Sequence, residues 1–211
     1  MENFLIILEM IGTIAFAISG ATVGIKSRMD VLGVTILGVT TAIGGGIMRD
    51  IILGLQLPSS FSGPRNLYVS TLVAMATFVF VYYNKRVKGN NINRAFDAIM
   101  LITDAIGLAV FTVLGMDVAF KISLDFPFPL YIFVGVITGV GGGVVRDILA
   151  QTKPFIFYKH VYASASIIGA VLYYLLRGAL PAPVPMLISM ITIITIRLCA
   201  YKFKWNLPKV Q

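Results

Sequence analysis

Gly44-Gly45-Gly46-Ile47-Met48-Arg49-Asp50 and Gly141-Gly142-Gly143-Val144-Val145-Arg146-Asp147 share five identical residues at one spacing, each equivalent pair 97 positions apart. A motif repeated at that distance marks a duplicated structural unit, and such repeats are read before any local pattern. The match extends upstream at an offset of 95, where Glu9, Gly12, Phe16, Gly20, Lys26 and Asp30 meet Asp104, Gly107, Phe111, Gly115, Lys121 and Asp125. Two residues are therefore inserted in the second copy. Positions 127–129, with Pro127 and Pro129, are the expected place, because proline suits loops and helix starts. Downstream, Tyr68 and Ser70 meet Tyr162 and Ser164 at an offset of 94.

The residues around these motifs are apolar. Of 211 residues, 58% are hydrophobic and 12% charged, with a mean hydropathy of +0.91; a soluble domain carries about 25% charge. Uncharged runs cover 10–25, 31–48, 66–84, 105–116, 126–145, 161–176 and 180–196. A hydrocarbon layer of about 30 Å takes roughly 20 apolar residues per helix. The expected fold is thus an all-α integral membrane protein with seven transmembrane helices in a single domain over 1–211, without room for a separate soluble domain. The first helix starts at Phe4 and reads as retained rather than cleaved, lacking a basic leader. The fourth starts near Phe96, which places Glu9, Asp97 and Asp104 inside spans. One repeat then occupies about 4–84, the second about 96–177, and a seventh helix about 180–202. Each repeat holds three helices, an odd number, so the chain enters the second from the opposite side of the membrane. The copies are expected to be inverted.

The cations agree with that geometry. Lys26, Arg28, Lys85, Arg86, Lys88, Arg94, Lys153, Lys159, Lys202, Lys204 and Lys209 fall on one side, and Arg65, Lys121 and Arg177 on the other. Arg49, Arg146 and Arg197 sit at helix ends or within helices. The positive-inside rule makes the richer side cytoplasmic, with the N-terminus outside and the C-terminus inside. The formal charge of +8 is then mostly an orientation signal and does not mark a nucleic-acid surface. Cys199 is the single cysteine, so no internal disulfide and no Cys/His metal set arises. No Ser/His/Asp set or paired catalytic acids appear, and neither an enzyme nor a cofactor is expected.

Glycine costs about 1 kcal/mol relative to alanine in a helix interior, so three in succession are expected to weaken or break the second and fifth spans. Non-helical backbone at membrane depth is tolerated only where it is buried in protein or lines water. Inverted repeats place binding and conduction sites where such discontinuous helices meet near the midplane. Freed carbonyls there could replace part of a cation's hydration shell. A competing reading assigns the triplets to close helix packing, a role that Gly20 with Gly24 and Gly135 with Gly139 fit well. Candidate pathway residues are Gly44, Gly45, Gly46, Arg49, Asp50, Gly141, Gly142, Gly143, Arg146 and Asp147, with Glu9 and Asp104. The Arg-Asp pairs can neutralise one another or pair across the pseudo-twofold. Glu9 and Asp104, equivalent in inverted copies, should lie toward opposite faces as entrance charges, since ionisable residues inside a membrane are functional candidates by default.

Two three-helix units, each carrying Gly-Gly-Gly-x-x-Arg-Asp in its second helix, followed by a seventh helix and a Trp-Asn-Leu-Pro ending at 205–208, resemble the prokaryotic members of the TRIC (trimeric intracellular cation) channel family. That group overlaps the bacterial glycine-transporter-domain membrane proteins. The resemblance implies a homotrimer in the prokaryotic inner membrane, among membrane lipids. Each protomer would have its own pore for monovalent cations, chiefly potassium, formed by kinked second and fifth helices. It implies the kinks at Gly44, Gly45, Gly46 and Gly141, Gly142, Gly143, with Arg49, Asp50, Arg146 and Asp147 beside the pathway. The Lys-Glu-Val element of animal members is absent here, where Ile47, Met48 and Arg49 stand, so their lipid regulation does not carry over. A carrier of glycine or another small zwitterion is the alternative, since it too needs carbonyls for an ammonium and a helix N-terminus for a carboxylate.

Overall fold

The computed structural model describes residues 1–83, 90–154, 156 and 161–205, with side chains from 96 onward in the second of these segments. Lys85, Arg86, Lys88, the Arg94 side chain, Lys159, Lys209 and positions 206–208 of the Trp205 ending lie outside the described residues.

Among the described residues seven helices run in chain order as α1 (Glu2–Lys26), α2 (Val31–Ile52), α3 (Arg65–Tyr83), α4 (Asn90–Ile122), α5 (Phe128–Leu149), α6 (Tyr162–Leu176) and α7 (Pro183–Lys202), with a one-turn helix, Ser59–Ser62, between α2 and α3. Six of the seven are long and apolar enough to cross a membrane. The exception is α6: its 15 described residues span about 22 Å at 1.5 Å per residue, short of the roughly 30 Å of a hydrocarbon core. Helix α4 begins before the expected Phe96, because its first turns, with Asn90, Asn91 and Asn93, extend beyond the apolar window that starts at Phe96.

Helix ends follow local chemistry. The Asp30 carboxylate accepts from the Gly33 N–H at 2.7 Å, capping α2. Helix α5 starts after Pro127 with Pro129 in its first turn, where a missing N–H costs nothing. Both α2 and α5 end in the same reversal. Leu55 N–H donates to the Asp50 carbonyl and Thr152 N–H to the Asp147 carbonyl, each at 2.9 Å. The turn requires a left-handed residue, supplied by Gly54 (φ +71°) in one case and Gln151 (φ +54°) in the other.

The centre of the molecule is a ring of contacts, α1 on α2, α2 on α5, α5 on α4 and α4 on α1. Helix α3 packs on α1 and α2, α6 packs on α4 and α5, and α7 covers α4 and α6. Two antiparallel crossings build that ring. Where α1 meets α4, Phe16 lies on the bare face of Gly107, Phe111 lies on that of Gly12, and the two rings stack at 5.3 Å. Where α2 meets α5, a Cβ on Gly45 would strike the Thr138 carbonyl and a Cβ on Gly142 the Thr41 carbonyl. In both crossings the contacts come in pairs that obey the sequence offsets of 95 and 97.

The expected breaks at the glycine triplets do not occur. Helix α2 runs through Gly44, Gly45 and Gly46, and α5 through Gly141, Gly142 and Gly143, without interruption. The energies explain why. Each glycine costs about 1 kcal/mol of helix propensity, whereas each backbone group freed inside the membrane costs several. The helices stay hydrogen-bonded, and the missing side chains allow backbone-to-backbone approach, which is the packing role of small residues.

This assignment separates neighbours within one triplet. A Cβ on Gly44 meets its nearest atom, Val145 Cγ2, at 3.7 Å, an ordinary contact. Gly44→Ala should therefore hold or raise the thermal unfolding midpoint of the detergent-purified protein. Gly45→Ala and Gly142→Ala should lower it, by about 1–3 kcal/mol of overpacking each. Equal effects at the three positions would refute the crossing geometry.

Candidate functional site

The crossing of α2 and α5 centres between Thr41 and Gly45 on one helix and between Thr138 and Gly142 on the other. Arg49 and Arg146 each stand about 9 Å farther along their helices at 1.5 Å per residue. Because the helices are antiparallel, the two arginines lie on opposite sides of the crossing.

On the first side, Arg49 Nε donates to Asp50 Oδ1 at 2.6 Å, and Arg49 Nη2 donates to Ser59 Oγ at 2.9 Å. Ser59 in turn gives both its N–H and its hydroxyl to Asp50 Oδ2, each at 2.7 Å. The carboxylate thus fastens the one-turn helix Ser59–Ser62 to the end of α2. Asp50 is fully buried and Arg49 nearly so. Glu9 does not join them. It accepts from Arg65 Nη2 at 2.9 Å and from Asn66 Nδ2 at 2.7 Å, holding the start of α3 against α1.

On the second side, Arg146 has no solvent exposure. Its Nε donates to Asp147 Oδ1 at 2.8 Å, and its Nη1 donates to Asp104 Oδ1 at 2.6 Å and to Ser19 Oγ at 2.7 Å. Asp104 is also 3.8 Å from Arg197 Nη2, contributed by α7. The Arg197 guanidinium lies 4.5 Å over the ring of Tyr162, the first residue of α6. Gly143 leaves the space in which these groups meet, since a Cβ there would stand 3.0 Å from the Tyr162 hydroxyl and 3.6 Å from Arg146 Nη2. Among the described residues, two arginines and two aspartates make a buried cluster on the second side. Burial of this kind requires pairing, because an isolated charge at low dielectric is prohibitive.

The candidate residues therefore separate into three sets. Arg49 and Asp50 come together, as do Arg146, Asp147 and Asp104. Each Arg-Asp pair neutralises itself on its own side, and the described ion pairs do not bridge the crossing. Gly45, Gly141 and Gly142 line the helix contact, and Gly46 and Gly143 face the charge clusters. Glu9 and Asp104 lie on opposite sides of the α1–α4 crossing, and their environments differ: the Glu9 side chain is 37% exposed, that of Asp104 1%. Among the described residues no three of His, Cys, Asp and Glu gather for a metal ion. The chemistry on offer is charge and hydrogen bonding.

Sequence reasoning missed Ser19, Ser59 and Arg197 as members of these clusters. Ser19 and Ser59 carry no local signal, being small polar residues brought in by packing and by a turn. Arg197 did carry one, standing alone within the otherwise uncharged run of the last helix, where an arginine needs a carboxylate partner.

Residues 6–84 and 101–178 each match the protein family described as "Glycine transporter". The UPF0126 inner membrane protein YadS of Escherichia coli (strain K12) is 37% identical over 206 residues, covering 95% of this chain and 93% of the relative. The UPF0126 membrane protein YvgT of Bacillus subtilis (strain 168) is 34% identical over 207 residues, covering 96% and 94%. Among solved structures, a prokaryotic TRIC channel crystallised in 0.5 M KCl superposes with a TM-score of 0.86 at 31% identity, over 98% of this chain and all of that one. A structure described as the basis for conductance through TRIC cation channels gives 0.80 at 36% identity, over 97% and 96%. The TRIC trimeric intracellular cation channel orthologue from Rhodobacter sphaeroides gives 0.85 at 26% identity, over 96% and 100%.

The two equivalent acids should respond unequally to neutralisation. Asp104→Asn leaves two buried arginines sharing fewer carboxylates and should cost about 3–5 kcal/mol of stability. Glu9→Gln removes a half-exposed pair and should cost under about 1 kcal/mol. Chemical unfolding in mixed detergent micelles measures both, and equal losses would contradict the burial asymmetry.

Proposed function

The chain belongs to the family of the prokaryotic TRIC channels and UPF0126 membrane proteins, and on that premise we propose that it is a potassium-permeable channel for monovalent cations. It works as a homotrimer in the prokaryotic inner membrane, with one pore in each protomer. The observation that carries this reading is the match in sequence and fold to cation channels over nearly the entire chain. The family is one of membrane channels and not of enzymes. In this reading α6 forms a seventh pass, and the cation-rich side of the sequence faces the cytoplasm.

The pathway runs beside the α2–α5 crossing, from Glu9, Arg49 and Asp50 on one side to Asp104, Arg146 and Asp147 on the other. Buried charges on both sides of a midplane contact support it, since ionisable groups within a membrane face ion routes or each other. The continuous helices keep their carbonyls hydrogen-bonded, so the polar lining comes from side chains: the paired acids attract cations, and the arginines neutralise those acids when no ion is present. Arg146 and Asp104 are buried against each other in the described conformation. Conduction therefore requires their contact to part, and this conformation is closed on the second side.

A second reading is a carrier for glycine or a similar zwitterion, favoured by the description of the family that matches both halves of the chain. Each arginine would then receive the carboxylate and each aspartate the ammonium. Purified protein in a planar bilayer separates the two. A channel gives unitary currents in potassium gradients, with reversal potentials that follow the cation and not chloride. Saturable uptake of labelled glycine into proteoliposomes, without unitary currents, would replace the channel by the carrier.

A further inference from the structure

The face bearing Arg65, Lys121 and Arg177 contains an open pocket of about 400 Å³, where the end of α4, the end of α6 and the turn into α7 meet. Phe120, Tyr174, Arg177, Gly178 and Ala182 line it. Its aromatic floor is fixed: the Phe120 ring stacks on Tyr131 at 4.1 Å and lies 5.8 Å from Tyr174. The Arg177 guanidinium rests on that floor, its central carbon 3.8 Å from the Phe120 ring centroid. Arg177 also hydrogen-bonds the Tyr173 side chain, and a guanidinium has five N–H donors, so others stay available at its edge.

The remaining donors have no carboxylate in ion-pair contact among the described residues. Asp117, the nearby carboxylate, takes Lys121 at 2.8 Å and accepts the Tyr173 hydroxyl at 3.3 Å. Asp117 and Asp125 are the described carboxylates at this end of α4, and neither is ion-paired with Arg177, which stands beside the aromatic-floored pocket. The other loop cation of this face, Arg65, is already paired with Glu9. Such a site repels the potassium ion that the proposed pathway attracts, so it belongs to a different task and does not depend on the channel reading.

We propose that this pocket binds a phosphate group, held by the Arg177 fork with Lys121 close by. Phosphate oxygens match the guanidinium edge bidentately, and the ends of α4 and α6 stand at the level where basic and aromatic side chains meet headgroups. An anionic phospholipid is one source of the group and free phosphate the other. Phosphatidylcholine, whose choline would face the uncompensated arginine, fits poorly.

Native mass spectrometry of the full-length protein released from non-ionic detergent tests this, with dioleoyl phosphatidylglycerol, dioleoyl phosphatidylcholine or inorganic phosphate added. The wild type should retain phosphatidylglycerol about tenfold better than phosphatidylcholine, the loss expected for one charge-assisted bidentate contact. Arg177→Gln should remove that preference, and Lys202→Gln, on the other side of the sequence's charge pattern, should keep it. Ala182→Trp fills the pocket with Arg177 intact and should also remove the preference, so the test survives if Arg177→Gln fails to fold. Retention of millimolar inorganic phosphate by the wild type and not by Arg177→Gln, without a lipid preference, identifies free phosphate as the source. Equal phosphatidylglycerol retention by the wild type, Arg177→Gln and Ala182→Trp, with no Arg177-dependent phosphate adduct, overturns the proposal.

Discussion

Helices α2 and α5 touch through their backbones, Gly45 against the Thr138 carbonyl and Gly142 against the Thr41 carbonyl, and most of the remaining arrangement follows from that contact. Two helices that close need bare faces at the same height, which the second glycine of each triplet provides. Antiparallel crossing then fixes where everything downstream in each motif must go. The Arg-Asp pair of α2 is carried to one side of the contact and that of α5 to the other. The third glycine of each triplet leaves room for the guanidinium that follows it three residues later. Glycine's low helix propensity is tolerated because a membrane interior penalises a broken backbone far more heavily.

The two sides are related by the repeat but are not equal. On the second side Asp104 grips Arg146, and α7 adds Arg197 over Tyr162 to the buried cluster. On the first side Glu9 turns away to Arg65 and Asn66, while Arg49 and Asp50 settle on Ser59. The seventh helix has no counterpart in the first repeat, and the equivalent tyrosines show its effect: Tyr68 is 65% exposed and Tyr162 only 3%. A duplicated unit thus becomes an asymmetric device, buried and tightly paired at one end and more accessible at the other.

Much of this was legible from residues alone. The equal spacing of two Gly-Gly-Gly-x-x-Arg-Asp motifs identified the helices that meet, and the apolar runs fell on each of the seven described helices, least completely on α4. The triplets misled on one point, because propensity argues for a break while the cost of unsatisfied backbone argues against it, and only the close approach of a second helix shows how the bare positions are used. The cluster membership of Ser19, Ser59 and Arg197 depends on which helix faces cover which, a property of tertiary packing that one-dimensional spacing does not encode. The length of α4 was underestimated for a simpler reason: its first turns are polar and extend past the apolar window.

The central claim is that the glycine triplets close a contact between continuous helices instead of opening the backbone to water. Hydrogen–deuterium exchange at single-amide resolution, on protein in lipid nanodiscs, tests this most directly. Amides at 44–48 and 141–145 should exchange as slowly as those one turn away on either side, because each remains bonded to the carbonyl four residues back. Rapid exchange confined to the two triplets, with protected turns flanking them, would show broken, hydrated helices and contradict the account.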